Sequence, residues 1–128
     1  MIQNNYFSDN EDLTLQFEKI IDWTDIIDTY ENGFEDAATY KETSNEALAM
    51  APATHQDAID FYRTILESAG EIAGKEIAPQ AMIMDVIGLK FNKGKVTFPD
   101  QMIACMKSAK EAGLMPYSIS RHHGGLGM

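Results

Sequence analysis

A long helical pattern over residues 54–78, THQDAIDFYRTILESAGEIAGKEIA, constrains the fold more than any other stretch of the sequence. Apolar side chains recur along it every three or four positions and form a broad stripe, which is typical of a helix packed on two sides. Thr54 is expected to cap the start of the helix, with Asp57 where the helix dipole favours an acid. Pro79 lacks an amide hydrogen, so the helix is predicted to end or kink there. The stripe comprises Ala58, Phe61, Tyr62, Ile65, Leu66, Ala69, Ile72, Ala73 and Ile77.

Small residues recur every four positions on one face of this helix, at Gly70, Gly74 and Ala78. Each glycine costs about 1 kcal/mol of helix propensity relative to alanine, so a compensating contact is expected. Close packing of another helix is the favoured interpretation, because glycine faces in helices usually serve packing. A cofactor or a second domain lying on this face is the alternative.

The net charge of −10 is concentrated in the first half of the chain. Residues 1–60 carry 14 acidic side chains against two lysines, whereas residues 61–128 carry six acids against eight bases. Nucleic acids and anionic membranes bind positive surfaces, so neither is an expected partner. A solvated acidic surface is the favoured interpretation, and a docking face for a basic partner is the alternative.

The length of 128 residues and the hydrophobic content of 45% suit a globular core. No apolar run is long enough to cross a bilayer, and the first ten residues do not have the pattern of a signal peptide. A soluble cytoplasmic protein is therefore predicted. Cys105 is the single cysteine, so an internal disulfide bond is excluded. Because methionine and isoleucine residues surround it, Cys105 is predicted to be a small buried hydrophobic side chain.

The first predicted helical region covers residues 10–30, where apolar side chains recur at helical spacing after a cap at Asp9 or Asn10. One bent helix or two short helices both fit this pattern, with Thr24 able to restart a helix. Asn32-Gly33 then signals a helix end rather than a hairpin, because no alternating pattern flanks it.

The later elements are shorter. Residues 34–52 are predicted to be a partly helical connection, residues 80–86 a further turn or two of helix, and Gly88 a break. Residues 89–98, LKFNKGKVTF, place alternating apolar residues on both sides of Lys93-Gly94, which indicates a small hairpin. Such a hairpin is too short to stand alone and is expected to lie on the helices.

The last predicted helix covers residues 99–112, with Pro99 at its first position and Gly113 after its end. Its inner face is predicted to consist of Met102, Ile103, Met106 and Ala109, with Leu114 just beyond. Residues 114–128 are predicted to be a loop. Together these patterns predict an all-α fold, a helical bundle with one small β-hairpin near residues 89–98.

The end of the sequence, SRHHGGLGM, is rich in glycine, with Gly124, Gly125 and Gly127 close together. Glycines at this density usually allow a sharp turn or a close approach to another surface. The turn leads to no further element, so the chain is predicted to be a fragment of something longer.

These features also occur, in the same order, in a known family. A small-residue helix ends at Ala78-Pro79; Asp85, Gly88 and Phe98-Pro99 follow, and then a helix up to Gly113. With the Ser118-Ile119-Ser120 and Gly-Gly-Leu-Gly runs at the end, residues 56–128 resemble the N-terminal helical domain of the acyl-CoA dehydrogenase family. Residues 6–36 resemble the extension of a longer bacterial branch, which includes methylmercaptopropionyl-CoA dehydrogenases.

The resemblance implies the function of a larger parent enzyme. In that family FAD lies between a middle β domain and a C-terminal helical domain. A glutamate removes the α proton of an acyl-CoA thioester while a hydride leaves the β carbon for the flavin, a reaction of fatty-acid metabolism. An electron-transfer flavoprotein then accepts the electrons, and the parent is expected to be a homo-oligomer. The N-terminal domain serves as scaffold and forms part of the acyl-pocket wall.

The resemblance also implies a division of this chain. Residues 1–53 are expected to form an N-terminal helical extension and connection, and residues 54–128 a truncated N-terminal-like helical domain. No catalytic residue and no FAD-binding residue of the family is matched here, so the chain alone is expected to be inactive. Gly124, Gly125 and Gly127 are predicted to form a turn near the substrate. His122-His123 departs from the acidic–aromatic pair that is usual before these glycines.

The histidines and the C-terminal glycines do not predict a metal site or a phosphate-binding site. His122 and His123 are neighbours and are expected to point apart, and His55 is distant, so no metal site is predicted. The glycines lack the strand and helix that flank a phosphate-binding loop. A hypothesis from a different class therefore stays open beside the flavoenzyme fragment. In it the chain is a self-contained acidic helical module that binds a protein partner.

Overall fold

The fold is mostly helical, and the computed structural model describes residues 4–127 of it. Two antiparallel strands, β1 (Lys90–Asn92) and β2 (Lys95–Thr97), form a hairpin in which Phe91 faces Val96. The prediction of an all-α fold with one small hairpin near residues 89–98 is confirmed. The helices are α1 (Glu11–Leu15), α2 (Trp23–Tyr30), α3 (Glu35–Thr43), α4 (His55–Ile72), α5 (Ala78–Ile87) and α6 (Asp100–Glu111).

The central helix begins where the sequence predicts and continues further than predicted. The hydroxyl of Thr54 accepts a hydrogen bond from the amide of Asp57 at 3.1 Å and caps α4. At Ala73–Ile77 the helix widens into a π turn, and α5 follows without a break. The expectation that the helix could end at Pro79 is wrong. A proline ring clashes with the carbonyl four residues before it, and the wider turn relieves that clash.

Two helices form in the region 10–30. The side chain of Asn10 caps α1 by accepting hydrogen bonds from the amides of Asp12 and Leu13, and α1 runs into a second π turn, Gln16–Ile20. The two helices are separated at Ile21, directly after this π turn, where the backbone is extended.

The second of these helices restarts at an acid rather than at Thr24. The carboxylate of Asp22 accepts a hydrogen bond from the amide of Thr24 and is the N-cap of α2. The prediction that Thr24 itself restarts the helix is therefore wrong. After α2, the 3₁₀ turn Asn32–Phe34 contains Gly33 at φ 66°, which confirms a helix end there. α3 and the 3₁₀ turn Glu46–Leu48 confirm the partly helical connection.

The core lies between α4 and the first thirty residues. Phe17 meets Phe7 edge-on with ring centroids 5.5 Å apart, and its centroid lies 4.6 Å from that of Trp23. The indole of Trp23 donates a hydrogen bond to the carbonyl of Phe17 at 2.7 Å. This core draws residues from both sides of residue 53, and the division of the chain at that point stays a prediction. Its buried members are Phe7, Phe17, Ile27, Ala58 and Tyr62.

The row of small residues on the central helix is covered by the start of the chain and not by another helix. The amide of Tyr6 donates to the carbonyl of Gly70 at 2.9 Å, and the side-chain amide of Asn5 donates to the carbonyl of Glu67 at 2.9 Å. A Cβ atom at Gly74 would lie 2.5 Å from the backbone oxygen of Asn4. The face is closely packed, but the favoured interpretation that another helix packs there is wrong, because the covering segment is irregular.

The second half of the chain buries much less apolar surface. All six strand residues are exposed, and Phe91 is 74% exposed. The expectation that the hairpin lies on the helices is therefore wrong: within residues 4–127 neither face of the hairpin is covered. Its apolar side chains alternate as in a sheet that packs on one face, but that face is open.

The last helix lies against α4 and α5, with a face rotated from the predicted one. Pro99 is its N-cap rather than its first residue, and Gly113 follows its end at φ 73°. Ile103 and Met106 are about half exposed. Cys105 is only partly buried, with its Sγ 3.8 Å from a carbonyl of the central helix, so the prediction of a buried cysteine is wrong. The partly buried positions of α6 are Gln101, Met102, Cys105, Ser108 and Ala109.

No helix within residues 4–127 is both long enough and apolar enough to cross a bilayer.

The contact at Gly74 predicts a large stability effect. We expect Gly74→Leu to lower the free energy of unfolding by about 1–3 kcal/mol or more, because the new side chain overlaps the backbone of Asn4. Glu71→Ala, one turn earlier, removes only an exposed ion pair to Lys75 and is expected to cost less than about 1 kcal/mol. Urea unfolding of both variants measures the difference. Equal midpoints would show that this face is open.

Candidate functional site

The most highly organised polar site of the molecule surrounds Arg121, close to the glycines singled out in the sequence. The 3₁₀ turn Arg121–His123 begins at Ser120, whose hydroxyl accepts a hydrogen bond from the amide of His122 at 3.3 Å. Gly124 follows in the left-handed region at φ 79°. This turn directs the Arg121 side chain into the protein, where it is only 4% exposed.

Arg121 forms a two-pronged ion pair with Glu31. Its Nη1 donates to Oε2 of Glu31 at 2.7 Å and its Nη2 donates to Oε1 at 2.9 Å. The Glu31 side chain is 1% exposed. Paired hydrogen bonds of this geometry are among the strongest in proteins. Removing one partner of a buried pair typically costs about 3–5 kcal/mol, because the other charge is left buried and uncompensated.

Glu31 is placed at this site by the end of α2. It is the C-cap of α2, and its amide donates to the carbonyl of Ile27, a fully buried residue. The chain then turns through Asn32 and Phe34, both at positive φ, and enters α3. These turns bring Asp36, on the first turn of α3, to the same site as Glu31.

Tyr62 of α4 completes the environment of Glu31. Its hydroxyl donates to Oε1 of Glu31 at 2.6 Å, and the residue is 5% exposed. Burial raises the pKa of the Tyr62 phenol well above its ordinary value of 10, and the hydrogen bond to Glu31 and the charge of that carboxylate raise it further. Tyr62 therefore stays a protonated donor, and its aromatic ring belongs to the core.

Asp36 gives the guanidinium a second carboxylate. Nη1 of Arg121 lies 3.3 Å from Oδ2 of Asp36, and Nε2 of His122 lies 2.9 Å from Oδ1 of the same carboxylate. Burial alone lowers the pKa of Arg121, but the hydrogen bonds and charges of Glu31 and Asp36 outweigh burial and raise it. Arg121 therefore carries a permanent charge, balanced by two acids.

One donor of the cluster has no acceptor. Nε of Arg121 is buried and lacks a hydrogen-bond partner among the described part of the chain. The guanidinium carbon lies 5.7 Å from the ring centroid of Phe61, which adds a cation–π contact. A Cβ atom at Gly127 would lie 3.3 Å from this Nε, so the backbone at Gly127 packs directly on the guanidinium.

The predicted glycine turn is a compact loop whose amides are used internally. The amides of Gly124, Gly125 and Gly127 donate to the carbonyls of Arg121, Ser120 and Ile119. A side chain at Gly125 would overlap the backbone of Ile119, so this position needs glycine. Proximity of Gly124, Gly125 and Gly127 to a substrate stays a prediction.

The hydrogen bonds and ion pairs of this site join separate parts of the fold, so its chemistry is structural. Its carboxylates are held by a guanidinium and a phenol, and both of these groups are held in one protonation state. This site offers no free phosphate-binding group for FAD, because binding a pyrophosphate requires free converging amides or cations. The amides of the glycine turn and the terminal nitrogens of Arg121 are already used.

Two histidine side chains contact carboxylates. Nε2 of His122 contacts Asp36, and Nε2 of His55 lies 2.8 Å from Oδ1 of Asp28 in the last turn of α2. Phe34 meets the His55 ring edge-on, with centroids 5.2 Å apart. Across residues 4–127 no three His, Cys, Asp or Glu side chains lie together as metal ligands would.

The surface also carries an apolar groove and a cavity of mixed polar and apolar lining. An apolar groove of about 330 Å³ lies between α2 and α4. A second cavity, of about 410 Å³, lies between the end of α5, the hairpin and the start of α6. The groove is lined by Trp23, Ile26, Tyr30, Tyr62 and Leu66.

Sequence reasoning did not find the Glu31–Arg121 pair. The partners are 90 positions apart, and Glu31 is one of 14 acids in the first sixty residues. The available signal was the scarcity of arginine, since Arg63 and Arg121 are the arginines of the chain. The small number of arginines draws attention to Arg121, but it does not indicate which acidic residue pairs with it.

Comparisons with known proteins give no match to a family model, to a curated protein or to a solved structure.

The hydroxyl of Tyr62 is expected to contribute to stability. Tyr62→Phe leaves one oxygen of a buried carboxylate with one donor fewer, and loss of a hydrogen bond to a charged group costs about 1.5–3 kcal/mol. Tyr30→Phe, at a residue 63% exposed, is the matched control and is expected to change stability by less than about 0.5 kcal/mol. Urea unfolding measures both. A Tyr62→Phe midpoint equal to that of the control would contradict the assignment.

The raised pKa of Tyr62 predicts alkaline destabilisation. Above pH 10, the ordinary value for tyrosine, the unfolded chain loses the Tyr62 proton while the folded chain keeps it. The contribution of Tyr62 to stability is thus complete below pH 10 and falls as the pH rises towards its folded value. The free energy of unfolding of the wild type should decline more steeply above pH 10 than that of Tyr62→Phe. Parallel profiles would refute the prediction.

Proposed function

We propose that this chain is the N-terminal helical part of an FAD-dependent acyl-CoA dehydrogenase. In this proposal it serves as scaffold and as part of the acyl-pocket wall, and the α,β-dehydrogenation of the thioester is carried out by other parts of the parent enzyme. The motif series of residues 56–128 is the sequence support. The structural support is a mostly helical fold, because the resemblance implies a helical domain for this part of the parent enzyme.

One observation carries the proposal: the second half of the fold presents an extended apolar surface. Met82 and Val86 of α5 are 79% and 81% exposed, and the hairpin and α6 add further large apolar side chains. α5 and α6 pack together and both expose large apolar side chains, which is typical of an interface. We assign it to the further domains of the same parent chain. The surface comprises Met82, Ile83, Val86, Leu89, Phe91, Val96, Phe98, Ile103 and Met106.

The charge distribution also supports further domains of the parent chain as the partner of this apolar surface. The acids are concentrated in the first sixty residues, whereas residues 61–128, which include the apolar surface, hold eight bases against six acids. An apolar surface with nearly balanced charge suits permanent packing between domains, which more closely resembles a protein interior than a transient interface.

The groove between α2 and α4 favours a second candidate function, an acidic module that binds a protein partner. Tyr30 is 63% exposed at this groove, and Asp22 and Asp25 are exposed on the same helix. The two candidates differ in what the reading frame contains. The flavoenzyme requires a β domain and a second helical domain encoded after residue 128, whereas the module requires a stop codon there.

The proposal predicts that activity belongs to the parent enzyme only. The isolated 128 residues should bind no FAD and oxidise no acyl-CoA, and self-association through the apolar surface should give dimers or larger species at high concentration. The protein expressed from the continued reading frame should purify with flavin and reduce a dye acceptor when an acyl-CoA is added. Absorbance at the flavin band and analytical ultracentrifugation provide the measurements.

Two results would overturn the proposal. One is flavin that co-purifies stoichiometrically with the isolated chain. The other is a longer protein that binds no flavin and turns over no acyl-CoA. A chain that stays monomeric at millimolar concentration would contradict the assignment of the apolar surface only. Glu18→Gln removes an exposed ion pair to Arg63 and leaves the apolar surface unchanged, so this variant is a control that should associate like the wild type.

A further inference from the structure

Residues 116–127, which we call the C-terminal strap, form a loop that is complete in itself. Each backbone hydrogen bond donated within it ends inside it: those of Ile119, His123, Gly124, Gly125, Leu126 and Gly127. Their acceptors are the carbonyls of Pro116, Ile119, Ser120 and Arg121. Because these bonds do not involve the rest of the fold, they persist whether or not the strap lies against it.

The strap has few attachments to the rest of the molecule. Among the hydrogen bonds of residues 4–127, those that leave the strap come from Arg121 and His122 and end on Glu31 and Asp36. The 3₁₀ turn Arg121–His123 also packs on the 3₁₀ turn Glu46–Leu48.

The apolar side chains of the strap are not fully buried. Tyr117 is 58% exposed and Ile119 is 48% exposed, whereas Pro116 and Leu126 are partly buried. Arg121 is the buried residue of the strap, at 4% exposure. The strength of the attachment therefore depends mainly on one guanidinium and the carboxylates around it.

From this arrangement we propose that the C-terminal strap is a detachable element, held in its docked position by insertion of Arg121 between Glu31 and Asp36. The proposal does not rest on the proposed function. Withdrawal of Arg121 would release the strap as a unit, since its internal hydrogen bonds are independent of docking. Partial withdrawal is disfavoured, because it leaves charges buried and unpaired. The strap therefore has two positions, docked and released.

The residues that control docking belong to the acidic first part of the chain. Glu31 is the C-cap of α2, and Asp36 lies on the first turn of α3. Both residues are 85 or more positions from Arg121 in the sequence. The N-terminal helices thus set the position of the glycine turn at the far end of the chain. Any event that moves the end of α2 would release or dock the strap.

Arginine-specific labelling tests the proposal with a reference inside the same molecule. Phenylglyoxal reacts with the terminal nitrogens of arginine, and the chain contains only Arg63 and Arg121. The side chain of Arg63 is 34% exposed and that of Arg121 is 4% exposed. The ratio of the two labelling rates, measured by mass spectrometry of peptides, reports release of the strap.

Glu31→Gln keeps the shape of the side chain and removes its charge. We expect it to raise the Arg121-to-Arg63 labelling ratio at least about tenfold, because the docked state loses its charge pairing. Hydrogen exchange should stay unchanged in α4, because release of the strap leaves the core folded. Glu18→Gln is the matched control: it frees Arg63 from its exposed partner and should leave the labelling rate of Arg121 unchanged.

Three results would overturn the proposal. They are an unchanged ratio in a folded Glu31→Gln variant, faster hydrogen exchange in α4 of that variant, and a wild-type Arg121 that is labelled as fast as Arg63. If Glu31→Gln does not fold, Asp36→Asn decides, because it removes the charge of the second carboxylate beside Arg121 while leaving the buried Glu31 pair in place. A raised ratio in that variant supports the strap, and an unchanged ratio in the folded variant rejects it.

Discussion

The fold depends on the burial of one carboxylate, Glu31, which three separate parts of the chain must satisfy. The end of α2 supplies the acid, α4 supplies the phenol of Tyr62, and the C-terminal strap supplies the guanidinium of Arg121. A buried charge is tolerated only when its hydrogen-bonding capacity is met. Local helix formation brings none of these groups together, so the ion pair specifies how the parts are arranged.

The molecule divides its apolar residues unequally between two environments. The side chains of the first half meet α4 in an aromatic core, centred on Phe17 and Tyr62. Those of α5, the hairpin and α6 remain largely exposed, with Phe91 at 74%. The same hydrophobic effect acts on both sets, and the difference lies in whether a covering element is present. The start of the chain covers the glycine face of the central helix, and no described element covers the hairpin.

Local patterns predicted elements well where the determining interactions lie within a few residues. Thr54 caps α4 by bonding an amide three positions away, and the hairpin follows from alternation around Lys93-Gly94. The same reasoning was wrong about a helix end at Pro79, where the helix continues through the π turn Ala73–Ile77 into α5. It also failed at Cys105, whose burial depends on how α6 is rotated against the central helix.

The sequence by itself determined the helical class, the limits of most elements, the hairpin and the acidic character of the first half. Each of these follows from periodicity, capping or composition over short distances. Only the tertiary structure decided that Glu31 among many acids meets Arg121, that an irregular segment covers Gly74, and that the glycine turn closes on itself. These pairings join residues up to 90 positions apart. Which acid meets which base is set by the packing of whole helices, and a single sequence carries no local signal of it.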